Sequence, residues 1–249
     1  MRCDKRRKHV LHVAVDEKGD LVASLLIFDF DGVIADSEAI ANAVLIDVLS
    51  ETGMNITAED SSNRYTGKRM LDVIADVEVS LGEALPDSFL GDVEVRTLDR
   101  LKRELQAVGG VGRYIETVAS VRKCIASSSS PDYLNVCLDI LQLSTVFQPN
   151  VFSASLVPRG KPHPDIFLHA AGEMEVSPSS TIVIEDSVSG VAAGVAAGMT
   201  VIGLLAGSHI QRGHAEKLAA AGAHHLAHNF DEVEAITSRL LEPNEHETL

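Results

Sequence analysis

The chain has 249 residues and carries 36 acidic against 21 basic side chains, a formal net charge of −15. That field repels nucleic acid and anionic lipid, so neither is an expected partner, and a small anionic substrate would need a local cation to approach. Three cysteines with no CxxC pair exclude a zinc ribbon or a disulfide framework and fit a reducing cytoplasm, while no apolar run reaches the roughly 20 residues of a membrane helix.

In chain order, residues 1–23 open with the basic run MRCDKRRKH and continue through a mixture of acids and apolar residues. With neither the apolar core nor the cleavage site of a signal peptide, they read as a loose extension outside the fold. Ser24–Phe28 is a short apolar run and the first expected strand. Residues 38–112 then hold helical patterns over Ala39–Thr52, Lys68–Ser80 and Leu85–Val108 with no convincing strand between them, ending at Gly109-Gly110-Val111-Gly112.

After that break, strands are expected at Arg122–Ala126, Val151–Ser153, Thr181–Ile184 and Thr200–Leu204. Helices are expected at Pro131–Leu143, Pro164–Met174 and the small-residue stretch Ser187–Gly198. Such alternation means a parallel sheet wrapped by helices. The fold class is therefore α/β: a Rossmann-like parallel core with helices on both faces and an inserted all-helical domain. The core covers 24–37 and 113–241, the helical insertion 38–112, and a tail 242–249.

The chemistry sits where strands end. Asp29 and Asp31 follow the strand at its carboxyl end, the side on which open parallel sheets bind ligands, and residues i and i+2 of extended chain face the same way. Two neighbouring carboxylates make sense if a divalent cation lies between them or if one is kept protonated. Glu185 and Asp186 close a second apolar strand in the same manner. Ser127 and Ser128 lie between a strand and a helix, where hydroxyls and backbone N–H groups hold phosphate oxygens or simply cap. Lys161 precedes a proline-rich helix start and reads in isolation as a surface lysine.

Taken together, IFDFDGVIADSE, Cys124-Ile125-Ala126-Ser127-Ser128-Ser129-Ser130, Gly160-Lys161-Pro162-His163-Pro164-Asp165 and Ile184-Glu185-Asp186-Ser187-Val188-Ser189-Gly190 resemble, in order, the four motifs of the haloacid dehalogenase superfamily, in its branch with a helical cap. The resemblance covers residues 24–241 and makes 38–112 the cap. It implies Asp29 as nucleophile, Asp31 as general acid and base, and Ser127 and Lys161 as holders of the phosphoryl group. It also implies a Mg2+ ion on Asp29, Asp186 and the backbone carbonyl of Asp31, with Glu185 acting through water.

Asp31 argues against halide and phosphonate chemistry, whose enzymes lack the second aspartate. The β-phosphoglucomutases share all four motifs. In them a histidine on the first cap helix and an arginine after a cap glycine serve the sugar; the matching positions here are Ala41 and Met70, which favours hydrolysis over the mutase alternative. A catalytically silent binding protein on the same fold is the remaining alternative. Gly67, Lys68 and Arg69 are candidate substrate contacts on a cap loop, with a basic, water-facing helix turn as the competing reading. The expected partner is a small phosphorylated metabolite, and the expected state a monomer. His163 and the histidines at 209, 214, 224, 225 and 228 read as turn, surface or packing residues.

Overall fold

The computed structural model describes residues 24–241; the expected extension over 1–23 and tail over 242–249 lie outside them. The chain begins with β1 (Leu25–Phe28), followed without an intervening strand by α1 (Glu38–Glu51), α2 (Ala58–Tyr65), α3 (Met70–Leu81) and α4 (Phe89–Glu104). It continues through α5 (Val111–Thr117), β2 (Arg122–Ser127), α6 (Pro131–Ile140), α7 (Ser144–Phe147), β3 (Val151–Ser153), α8 (Asp165–Glu173) and β4 (Thr181–Glu185). The last elements are α9 (Val188–Ala196), β5 (Thr200–Leu204), α10 (His214–Ala220), β6 (His225–Ala227) and α11 (Phe230–Leu241).

All strands pair in parallel in the order β3-β2-β1-β4-β5-β6. β1 is in the middle, with Phe28 in register with Ile125 on one side and Ile184 on the other. Its four residues are apolar and fully buried, as a strand covered on both faces requires. The order of strands along the chain reverses at β1, so the crevice beyond the carboxyl ends of β1 and β4 is the topological switch point where such sheets bind ligands.

Successive strand residues feed opposite faces. Leu26, Phe28, Ile125 and Ile184 enter one cluster, in which the Phe28 ring lies 6.0 Å from Tyr114 and 5.8 Å from Phe147. Ile27, Cys124, Val183 and Val201 enter the other, against Phe167 of α8 and Val191 of α9. The inserted helices bury a third cluster of their own, including Val44, Leu49, Tyr65, Val77 and Phe89. Leu101, near the far end of α4, joins the sheet cluster instead. The two chain crossings lie side by side: Asp36 N donates to Gln106 O and Val108 N to Ile34 O, both at 2.9 Å.

Several boundaries differ from the periodicity. The pattern over Leu85–Val108 forms helix only from Phe89 to Glu104, since Pro86 precedes the start and Leu105 is extended. The helix expected from Lys68 begins at Met70, because Arg69 is extended as its cap. The polar helix α2 and the three-residue edge strand β6 carry too little apolar pattern to be read beforehand. No helix among the described residues is long and apolar enough to cross a membrane.

Phe147→Ala removes a fully buried ring and should cost about 3–5 kcal/mol in chemical denaturation. Val79→Ala, at an 83% exposed position, should stay within about 0.5 kcal/mol.

Candidate active site

Asp29, the first residue after β1, is 3% exposed, and its N–H donates to Ile184 O of the neighbouring strand. Lys161 Nζ lies 2.6 Å from Asp29 Oδ1 and 2.7 Å from Glu185 Oε1, and its side chain is fully buried. The second Glu185 oxygen accepts from Ser187 N (2.8 Å) and Ser187 Oγ (3.0 Å). Glu185 thus clamps the lysine against Asp29. Burial lowers the Lys161 pKa, but Asp29 and Glu185 outweigh it and hold the ammonium above its usual range, so it stays charged.

Two glycines make room for this packing. A Cβ at Gly32, whose φ is +80°, would lie 1.8 Å from Asp186 Oδ2, and one at Gly190 would lie 1.6 Å from Glu185 Oε1. Gly190 belongs to α9, so the small-residue stretch shapes the site while serving as a structural helix.

The carboxylates of Asp29, Glu185 and Asp186 offer oxygens within 4.8 Å of one another, all buried. Burial pushes the carboxyls of Asp29 and Asp186 well above the ordinary range, the other acids push further, and Lys161 opposes. Keeping all three carboxylates ionised beside a single lysine therefore requires a further positive charge. Neither Asp186 oxygen has a hydrogen bond. His209 Nε2 approaches Asp186 Oδ2 to 3.0 Å without hydrogen-bond alignment. Unbonded buried carboxylate oxygens in such a cluster fit a hard divalent cation.

Asp31 lies outside that cluster. Its carboxylate accepts from Ser37 Oγ (2.5 Å), Tyr133 Oη (2.7 Å) and Ser129 Oγ (2.6 Å). Burial, then the Asp31 charge, push the Tyr133 phenol well above its usual pKa of 10, so it remains a neutral donor. Ser127 Oγ accepts from Ser129 N at 3.1 Å, while Ser130 caps α6.

Ser128 Oγ donates to Gly67 O at 2.8 Å, across the gap between the two sets of elements. Arg69 pairs with Asp72 through Nε (2.8 Å) and Nη2 (3.0 Å), and its Nη1 lies 3.5 Å from the carbonyls of Val157 and Pro158. It braces the approach to Lys161 rather than reaching the carboxylates. Lys68 forms no ion pair with a described residue. On the far side Lys217 Nζ donates to Asn63 at 2.6 Å, and a cleft of about 590 Å³ opens there between α2 and α10.

Of the histidines expected in surface or packing roles, two pack beside the acidic cluster: His209 touches Asp186, and His214 Nε2 lies 2.6 Å from the Asp186 carbonyl. Burial, above all, lowers the His214 pKa. The segment after β5 folds back at Gly207, a long-range event that ligand spacing does not encode. His224 is exposed and accepts from Val201 N through Nδ1, and His163 is exposed. Tyr133 was missed altogether: its only signal was a place in the first turn after Pro131. Glu38 was passed over too. Burial, then Asp186 and Asp31, raise its pKa to about 8.

A parallel sheet with a nucleophile-like carboxylate, a buried lysine and an acidic pair at its switch point, roofed by helices, defines a capped α/β hydrolase. The sequence model for haloacid dehalogenase-like hydrolases matches residues 26–204, and the chain belongs to that family. It is 28% identical over 183 residues to a 6-phosphogluconate phosphatase of Escherichia coli, covering 73% of this chain and 82% of that one. A β-phosphoglucomutase of Mycobacterium bovis is 29% identical over 205 residues, covering 71% and 78%. The crystal structure of a conserved haloacid dehalogenase-like protein from Agrobacterium tumefaciens is 36% identical, with a TM-score of 0.75 over 88% of this chain and all of that one.

Gly190→Ala should displace Glu185 and lower stability by about 1–3 kcal/mol, read as a drop in melting temperature. Gly172→Ala, where a Cβ meets nothing within 4 Å, is the control and should not destabilise.

Proposed function

We propose that this phosphoric monoester hydrolase removes the phosphoryl group from a small phosphorylated metabolite, a sugar phosphate or phosphosugar acid, with Mg2+ as its cofactor. One observation carries the reading: the Asp29 carboxylate ends the central strand 2.6 Å from a lysine that Glu185 holds from behind.

Asp29 attacks phosphorus in line, and its bond to phosphorus forms as the ester P–O bond breaks, giving an aspartyl-phosphate. Asp31 gives a proton to the departing oxygen. Now a carboxylate, it takes a proton from the water that releases inorganic phosphate and restores Asp29. Lys161 offsets charge on the phosphoryl oxygens, and Ser127, with backbone N–H groups after β2, holds them in place. Asp29, Asp186 and the Asp31 carbonyl are the groups that would hold Mg2+, with Glu185 behind them. When bound, the ion supplies charge neutralisation on the transferring group.

Water is the favoured acceptor. Ala41 on α1 has no side chain with which to activate a sugar hydroxyl, and Met70, which opens α3, cannot bind a second phosphate. The phosphosugar reading is supported by the resemblance to the 6-phosphogluconate phosphatase and by the Lys68 loop above the site.

Phosphate release should appear with Mg2+ in a panel of sugar phosphates and phosphosugar acids and vanish with a chelator. Asp29→Asn should lower kcat by roughly 10^4 or more. Mg2+ should raise the melting temperature of the parent protein and not of Asp186→Asn. Full activity in Asp29→Asn would exclude the nucleophile, and interconversion of hexose 1- and 6-phosphates primed by a bisphosphate would establish the mutase instead.

A further inference from the structure

The three hydroxyls on Asp31 come from three different parts of the chain. Ser37 immediately precedes α1, at the crossing into the inserted helices. Ser129 lies in the loop after β2, and its own N–H donates to Ser127 Oγ, so a phosphate seated there disturbs it. Tyr133 is in the first turn of α6, whose Leu134, Cys137 and Leu138 are fully buried in the same cluster as Phe28. Two of the donors thus stand on connecting segments, one at the crossing into the inserted helices and one in the loop after β2. Tyr133 stands on a helix whose buried side chains join the sheet cluster.

A phenol also suits both states of the acid. It donates to the ionised carboxylate, and it keeps donating to the carbonyl oxygen of the protonated form, which leaves the acid O–H free for the departing oxygen. A backbone or lysine donor would bring dipole or charge that favours the carboxylate; a neutral hydroxyl fixes orientation with less bias.

We propose that Tyr133 is the positioning residue of the general acid: its hydroxyl sets the rotamer of Asp31 and so aims the proton at the leaving oxygen. The inference rests on the reading of Asp31 as the acid. In the step concerned, the Asp31 proton passes to the ester oxygen as that oxygen's bond to phosphorus breaks and the bond from Asp29 forms. Tyr133 neither gains nor loses a proton.

The test is the dependence on leaving group. An alkoxide needs the proton, whereas p-nitrophenolate departs without it. kcat/KM reports the steps up to transfer onto Asp29 and omits the later attack of water, which is common to all substrates. Tyr133→Phe should therefore lower kcat/KM for 6-phosphogluconate about tenfold, a fraction of the full value of an acid, and leave p-nitrophenyl phosphate within about twofold. Turnover of the aryl ester also shows that the variant is folded. An equal loss on both substrates, no loss on either, or a gain would overturn the role of Tyr133 while leaving the hydrolase reading intact. A parent enzyme that hydrolyses aryl but no alkyl phosphate would overturn it as well, since no proton would then be delivered. A parent enzyme that hydrolyses neither removes the hydrolase reading and, with it, this inference.

Discussion

A single buried ammonium among buried carboxylates governs the centre of this molecule. Lys161 lies between Asp29 and Glu185 with no access to water. Removing these charges from solvent is unfavourable by several kcal/mol each, and only close, well-directed contacts offset it. The contacts exist because β1 and β4 are neighbours in the sheet, which places their terminal acids side by side, and because the Gly160–Pro164 loop delivers the lysine from a third direction. Gly190 is small for the same reason: any side chain there would displace the clamp on the lysine. What the lysine leaves unpaired, chiefly the unbonded oxygens of Asp186, is where a cation would fit.

The inserted helices act on this centre from above. Their closure relies on few polar contacts, Ser128 to Gly67, Arg69 to the Val157 and Pro158 carbonyls, and Lys217 to Asn63. Their own core is separate from the sheet's, joined mainly through the end of α4 and the paired crossings near Ala35 and Ala107. A sheet core with a separately packed helical roof matches the division of labour in the proposed chemistry: phosphoryl transfer below, choice of substrate above. Asp31 stands at the junction, hydrogen-bonded at once to the crossing, to the loop after β2 and to α6.

Much of this was legible beforehand. The buried strands were readable because both-face burial leaves continuous apolar runs, and each run ended in a turn or an acid. The carboxylates and Lys161 were readable as an ordered set, although Lys161 taken singly resembled a surface residue. Secondary elements without an apolar signature were not readable, as α2 and β6 show. Nor were residues whose part is set by tertiary folding: His209 reaches Asp186 across more than twenty residues, and Tyr133 reaches Asp31 across the whole insertion. Strand-end motifs encode the groups proposed to react; the groups that hydrogen-bond to them or touch them arrive from helices and loops whose local pattern concerns packing alone.

The most direct measurement is mass analysis of the protein acid-quenched during turnover of a small phosphate ester with Mg2+. A phosphoryl group on the peptide bearing Asp29, absent from the Asp29→Asn protein, is the predicted result. Turnover with no phosphorylated peptide at any time point, or with the group on another residue, would contradict the role assigned to the carboxylate that Lys161 and Glu185 hold in place.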